Sequence, residues 1–213
     1  MTLSVDVVSA FPLPQSAAPG IGFRLRIEET SGACVHAIAL RCHTRIEPRS
    51  RHYTTEERAR LYELFGHRSQ WDRTLRGVTW SQSSLVVPTF TGQIEIDLHV
   101  PCTYDLEVAS AKYFHAIRDG EVPLVFLFSG TMFNAGDAGL RVEPVPWDLE
   151  ASFRMPAHLW TSAMDQFFPG GGWLRLSRET IDRLQAFRGR QAVVSWDEAI
   201  ALLLEAAAAG EPA

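Results

Sequence analysis

The sequence has few of the features that mark secretion, membrane insertion or redox chemistry. It contains three cysteines in 213 residues, an odd number that cannot pair completely within the chain, and no Cys-x-x-Cys spacing occurs. No run approaches the roughly 18 apolar residues of a membrane-spanning helix. The first residues lack the basic and apolar regions of a secretory signal. We therefore expect a cytoplasmic protein with reduced thiols.

The chain also lacks the glycine motifs of nucleotide-binding proteins and hydrolases. The run Gly170-Gly-Gly172 has neither the spacing nor the Lys-Ser/Thr ending of a phosphate-binding loop. Phe128-Ser-Gly130 lacks one of the two glycines that flank the serine of a nucleophile elbow. The common signals for a bound nucleotide or an activated serine are thus missing, and we expect no cofactor.

Lysine is nearly absent, because Lys112 is the only one. The net charge is −5, but residues 41–76 hold nine arginines against five acids, which is +4 and leaves −9 for the remainder. An acidic total argues against general nucleic-acid binding. A local basic surface can still bind an acidic partner peptide or a phosphate. The candidate residues for such a site are Arg45, Arg49, Arg51 and His52.

An alternative role for these arginines is ordinary ion pairing. Four glutamates are close in sequence: Glu47, Glu56, Glu57 and Glu63. Surface pairs of this kind contribute little free energy and need no functional explanation. Both interpretations remain open at this point.

Alternation of apolar and polar residues predicts strands in the first two thirds of the chain. The clearest cases are residues 23–27, 34–46 and 94–108. A capping box at Thr54–Glu57 predicts a short inserted helix over about 54–65 that stops at Gly66. Asp119-Gly120 predicts a hairpin turn leading into a return strand from Val122, and Gly130 is the expected site of a bulge.

The last third is expected to be helical, with three helices over 156–206. Pro156 suits a first helical turn, and Ser177 and Ser195 are predicted N-caps. The fold class is therefore α+β: an antiparallel, sandwich-like sheet system with a β-rich part over 1–145 and helices following it. We expect one domain over 1–206 and a frayed tail at 207–213.

The segment 100–117 concentrates reactive side chains and could in principle form a catalytic site. If residues 94–108 form one continuous strand, Cys102 and Tyr104 lie on the core face and Asp105 and Glu107 on the other. The thiol and the carboxylates would then not converge. An enzyme whose site is assembled from distant segments around Asp105, Glu107 and Lys112, with an arginine, remains the alternative hypothesis.

Metal-ligand residue types also occur, but their spacing is unfavourable. Cys34 and Cys42 would stand roughly 26 Å apart on one strand, whereas zinc ligands share one ion at about 2.3 Å. Buried free thiols are the simpler interpretation. A metal carrier that uses His43, His99 or Cys102 is a third hypothesis. Most of the six tryptophans are expected in the core, with one or two at an exposed apolar groove.

A string of short motifs resembles an uncharacterised bacterial family, a domain of unknown function. The motifs are Arg45-Ile-Glu-Pro48, Val100-Pro-Cys-Thr-Tyr-Asp-Leu-Glu-Val108, Lys112-Tyr-Phe-His115, Val145-Pro-Trp-Asp148 and the segments 64–66, 87–88, 120–124, 128–131 and 173–176. The resemblance implies genes located beside those of uptake nickel-iron hydrogenases and their maturation factors. The order of strands, proline-containing segment and amphipathic helix is also similar in outline to the export chaperone SecB.

These observations favour a non-enzymatic accessory protein that binds another protein. The resemblance implies a hydrogenase subunit or maturation factor as that partner, and self-association is left open. No catalytic residues are transferred from the family.

Overall fold

The structure is a computed structural model that describes residues 3–14, 16–103, 105, 107–136, 139–171 and 174–210, without the side chains of 135 and 136. Contacts divide the chain into two compact units, Met1–Gly172 and Trp173–Ala213. The first holds the sheets and the second holds the last two helices. A single domain over 1–206 stays a prediction.

In the described part of the chain, strands form two antiparallel sheets. One has the order β1-β2-β6, and the other has the order β4-β3-β7-β8, with β5 beside β3 and β9 beside β7. Together with the helices, these sheets confirm the α+β class. The strands are β1 (Leu3–Pro12), β2 (Gly20–Glu29), β3 (Cys34–Ile46), β4 (Val78–Val87), β5 (Phe90–Thr91), β6 (Gln93–Pro101), β7 (Glu121–Gly136), β8 (Gly139–Pro144) and β9 (Glu150–Pro156).

The predicted N-caps Thr54, Ser177 and Ser195 each precede a helix, whereas Pro156, expected in a first helical turn, is the last residue of β9. The helices are α1 (Thr55–Arg60), α2 (Tyr62–Phe65), α3 (Trp71–Thr74), α4 (Ala109–Ala116), α5 (His158–Asp165), α6 (Arg178–Gln191) and α7 (Trp196–Gly210). The Thr54 hydroxyl accepts a hydrogen bond from the Glu57 N–H at 3.2 Å, and the Glu57 carboxylate accepts one from the Thr54 N–H at 2.9 Å. This confirms the capping box. Gly66 ends α2 with a φ of 69°.

The two sheets share one apolar core. Phe23 on β2 is fully buried, and its ring centre lies 4.9 Å from that of Phe126 on β7. Trp80 on β4 meets the same phenylalanine edge-on at 5.9 Å. Burying aromatic rings from both sheets provides most of the apolar area that holds such layers together.

The prediction of extended backbone up to Val108 is wrong. Strand β6 ends at Pro101, and the Thr103 hydroxyl then accepts a hydrogen bond from the Asp105 N–H at 3.1 Å. The Asp105 carboxylate accepts another from the Glu107 N–H at 3.0 Å. These side-chain bonds favour a turn over a sheet ladder, and α4 follows at Ala109. Tyr104 and Leu106 lie outside the described residues.

Two turn predictions also need correction. Asp119-Gly120 does not join two strands, because it connects α4 to β7; Gly120 nevertheless adopts the expected positive φ of 78°. The register between β3 and β7 shows no shift at Gly130 and is irregular instead between Val35 and Ala37. Strands β1 and β9 were not predicted. The frayed tail over 207–213 stays a prediction, and α7 is described as far as Gly210.

Glu29 caps the turn between β2 and β3. We predict that it contributes to the free energy of unfolding and that this contribution is lost in acid. Its buried carboxylate accepts hydrogen bonds from the Ser31 hydroxyl at 2.6 Å and from the Ser31 and Ala33 N–H groups at 3.0 Å each. The Ser31 hydroxyl in particular lowers the carboxyl pKa from its ordinary 4.5. The charged form is therefore favoured in the folded state.

Glu29→Gln should lower the free energy of unfolding by about 1–2 kcal/mol at neutral pH. The stabilisation is complete above the unfolded pKa of 4.5 and is lost as the pH falls through the lower, folded pKa. The difference between wild type and Glu29→Gln should hence shrink on acidification, as followed by urea unfolding across the acid range. The exposed neighbour Glu28→Gln is the control. A difference that stays constant with pH would contradict this role.

Candidate functional site

Arg51, one of the predicted anion-binding residues, lies in a largely buried ion pair. Its guanidinium contacts the Glu57 carboxylate, and the two side chains are only 10% and 4% exposed. It also donates to the carbonyl oxygens of Glu121 at 2.7 Å and Asp119 at 2.8 Å. Arg51 thus joins the start of α1 to the start of β7, and these bonds occupy most of its donors.

The other predicted residues of this group point to different partners. Arg49 donates to the carbonyl oxygens of Leu75 at 2.7 Å and Asp72 at 2.6 Å, which fastens the α3 region. Arg45 pairs with Glu47, and His52 is exposed. The structure therefore shows Arg45 and Arg51 in ion pairs with glutamates of the same chain, which is the alternative role considered for these arginines. Partner or anion binding by the group stays a prediction.

Next to Arg51, two buried tyrosines form a hydrogen-bonded pair. The Tyr53 hydroxyl donates to the Pro48 carbonyl at 2.8 Å and lies 2.8 Å from the Tyr113 hydroxyl, which donates to it. Burial raises the pKa of Tyr113 to about 12 and also raises the pKa of Tyr53. Both phenols are accordingly neutral at physiological pH and act as structural donors rather than as bases.

Two residues of the alternative enzyme hypothesis, Lys112 and Asp105, are engaged in other contacts. Lys112 on α4 forms an ion pair with Glu63 on α2. The hydrogen bond from Glu63 raises the pKa of Lys112, with a further contribution from the charge of Glu107. A lysine that acts as a base or nucleophile needs a lowered pKa, so this environment has the opposite effect. The Asp105 carboxylate accepts the Glu107 N–H within its own turn.

The residues considered for metal binding lie apart. His99 on β6 is exposed, whereas Cys102 is buried and its pKa is raised to about 12 by burial. Cys42 is likewise a buried free thiol with a pKa raised to about 12, as predicted. The His43 ring nitrogen lies 3.3 Å from the Thr79 hydroxyl. The described residues contain no group of three or more His, Cys, Asp or Glu side chains that could hold a metal ion.

Several large apolar side chains are exposed on the outer side of the six-stranded sheet and in the loop that follows β8. We call them the β8 surface, which comprises Leu140, Val142 and Val86 on the strands and Trp147 in the loop. Their exposed fractions are 61%, 59%, 73% and 93% respectively. An exposed apolar group of this size is uncommon on a monomer and marks interaction sites.

Strand register places the three strand residues of this group, Leu140, Val142 and Val86, on one face. Val142 is paired with Phe133 of β7, and Val86 is paired with Ala39 of β3, which is itself opposite Thr131 of β7. Directly paired residues of antiparallel strands point to the same side of a sheet. Val86 of β4 therefore lies beside Ala39 and Thr131 on the outer face, and Val142 of β8 lies beside Phe133 on the same face.

Beside Val86, over β4, β3 and β7, lies a shallow depression of about 570 Å³. Small side chains keep its floor low, and the guanidinium of Arg41 provides one charge at its margin. Its lining includes Ala39, Arg41, Ser84, Ser129 and Thr131. An open, mixed surface of this kind suits a protein partner better than the enclosed pocket that a small substrate requires.

Trp147 lies in the connection between β8 and β9, whose backbone is hydrogen-bonded to β7 on both sides of this residue. The Val145 N–H donates to the Gly130 carbonyl at 3.0 Å, and the Phe128 N–H donates to the Leu149 carbonyl at 2.9 Å. This short loop is thus fixed along β7, yet the Trp147 side chain is 93% exposed. Tryptophans on rigid elements are frequent energetic centres of protein interfaces. The sequence analysis expected most tryptophans in the core and did not single this one out.

Fold and surface together define an α+β protein of two antiparallel sheets with an open, partly apolar outer face. The chain belongs to the family described as "Family of unknown function (DUF6084)", whose model matches residues 1–212. The resemblance to a domain of unknown function is thereby confirmed. The hydrogenase context and the similarity to SecB stay predictions.

Other comparisons add little. No curated protein matches the chain. Among solved structures, a selenomethionine-labelled β-glucosidase from Kluyveromyces marxianus is similar over 72% of this chain with 10% identity and a TM-score of 0.21. The match spans 15% of that structure, and so low a score carries no argument about fold or function. Within the described residues, no helix has the length and apolar character needed to cross a membrane.

Proposed function

We propose that this chain is a non-enzymatic accessory protein that binds another protein through the β8 surface. The carrying observation is the exposure of Val142 at 59% on the outer sheet face together with that of Trp147 at 93% in the loop that follows β8. Leaving large apolar side chains in water is unfavourable by roughly 25 cal/mol per Å². A partner that covers them would recover this free energy.

A nickel-iron hydrogenase subunit or its precursor is the partner that the family resemblance suggests. Precursor and partly assembled subunits expose apolar surface, and an apolar sheet face with one arginine is suited to cover it. The engaged states of Lys112, Arg51 and Tyr113 support a binding role over a catalytic one, because each of these groups is used in an internal contact.

Co-purification of the full-length tagged chain from its native host tests this proposal. Wild type should retain a hydrogenase component, and Val142→Asp with Trp147→Ala should reduce its recovery by about tenfold, since interface centres of this type are worth at least about 1.4 kcal/mol. Glu28→Ala, on the outer face of the other sheet, is the matched control and should retain the partner. Recovery of the chain alone, or equal retention by both variants, would refute the proposal.

A further inference from the structure

The second unit, helices α6 and α7, leaves a large part of its apolar surface uncovered. The two helices contact each other at their adjoining ends, where the Arg188 guanidinium lies 4.1 Å from the centre of the Trp196 ring. On α7, however, Ala199 is the one residue that the structure buries. The apolar residues Ile200, Leu202, Leu203 and Leu204 are 40%, 38%, 37% and 66% exposed.

Helix α6 presents an apolar groove with a basic rim. Arg183, Phe187 and Arg190 follow one another at positions i, i+4 and i+7, so they share one face of the helix. The groove has a volume of about 440 Å³, and its lining also includes Leu184 and Leu203. It therefore offers an apolar floor between two exposed guanidinium groups.

Helix α7 carries the complementary pattern. Glu198, Leu202 and Glu205 also stand at i, i+4 and i+7, with a carboxylate where α6 has a guanidinium and a leucine between them. Seven residues span about 10.5 Å on either helix, so the two charges on each stripe are equally spaced. Helix α6 has four arginines and two acids, whereas α7 has three acids and no basic residue.

These two stripes are not paired with each other within one chain. The ion pairs among the described residues involve neither Arg183 nor Arg190, and neither Glu198 nor Glu205. The Glu198 carboxylate accepts a 3.4 Å hydrogen bond from the Ser195 N–H in the cap of α7. The charges remain exposed and available to a second molecule.

We propose that the occupant of the α6 groove is helix α7 of a second copy of this chain. Leu202 of one copy would lie against Phe187 of the other, with the two glutamates meeting the two arginines. A two-fold axis repeats the contact, because each copy supplies one groove and one stripe. Four helices then bury the apolar residues that two leave exposed, and the matched charges fix partner and register.

Sedimentation velocity of the full-length chain over a concentration series tests this association. Wild type should form a dimer, and the double reversal Arg183→Glu/Arg190→Glu should raise its dissociation constant by at least about tenfold. Glu198→Arg/Glu205→Arg should do the same. Combining all four changes in one chain should restore dimerisation to within about threefold of wild type, a rescue that misfolding would not produce.

Matched controls lie on the same helices but off the stripes. Arg178→Glu and Asp197→Arg are exposed charge reversals that should leave the dissociation constant unchanged. A chain that stays monomeric at about 100 µM, near the weak limit of specific association, would overturn the proposal and leave the groove to another protein. A dimer insensitive to both double reversals would also overturn it. The residues involved are distinct from the β8 surface, so this proposal and the proposed function fail independently.

Discussion

Replacing Arg51 by methionine will lower the free energy of unfolding by about 3–5 kcal/mol, the usual cost of leaving one member of a buried ion pair alone. The Glu57 carboxylate, at 4% exposure, would lose its guanidinium partner. The carbonyl oxygens of Asp119 and Glu121 would lose their donors as well. Urea unfolding of the purified variant measures this effect.

A surface ion pair on α1, the helix that carries Glu57, provides the comparison. Arg60 and Glu56 lie 4.0 Å apart with side chains 33% and 79% exposed, so Arg60→Met should cost no more than about 0.5 kcal/mol. The double variant Arg51→Met/Glu57→Gln should be less unstable than the sum of its single changes, because neither charge is then left alone. Equal effects of Arg51→Met and Arg60→Met would contradict the structural role of Arg51.

Gly130→Ala will be the second severe change, with an expected loss of about 3–5 kcal/mol from combined overpacking and backbone strain. A Cβ atom at this position would lie 2.1 Å from the Ala39 carbonyl oxygen of the neighbouring strand, and the φ of Gly130 is 148°. Strands β3 and β7 would have to separate at the centre of the larger sheet. Thermal and urea unfolding would both report the loss.

Gly139→Ala separates the two causes. Gly139 also has a positive φ, 125°, but a Cβ atom added there would meet no heavy atom of the described residues within 4 Å. Its substitution should therefore cost only the backbone strain, about 1–2 kcal/mol. If the two alanine variants were equally stable, close approach of the strands at Gly130 would be excluded as the reason for glycine there.

Local signals predicted local structure well. The capping boxes at Thr54 and Ser195 and the helix end at Gly66 depend on side chains that bond to backbone within three or four residues, and the sequence shows these directly. The burial of Cys42 and Cys102 followed from strand parity and was also confirmed. Such features need no knowledge of distant contacts.

Predictions that extended a pattern too far failed. Apolar parity continued through residues 94–108, but Asp105 and Thr103 bond to the local backbone and end the strand. Strand periodicity therefore competed with turn chemistry, and turn chemistry prevailed. Strand β1 was not predicted, although Leu3 and Val5 alternate with polar neighbours.

The candidate site depended on contacts that the sequence does not contain. The Arg51 guanidinium donates hydrogen bonds to the carbonyl oxygens of Asp119 and Glu121, about seventy residues away along the chain. The β8 surface likewise requires strands β4 and β8 to share a sheet through β3 and β7. Alternation at Leu140–Val142 predicted a strand but not which side of it would stay in water.

Site-specific photo-crosslinking in the native host tests the central claim most directly. A photoreactive amino acid at position 142 should join the chain to one protein partner, whereas the same group at position 28, on the outer face of the smaller sheet, should not. Cross-links from position 142 to a single protein, absent at position 28, are the predicted result. No partner at position 142, or the same products from both positions, would contradict binding through the β8 surface.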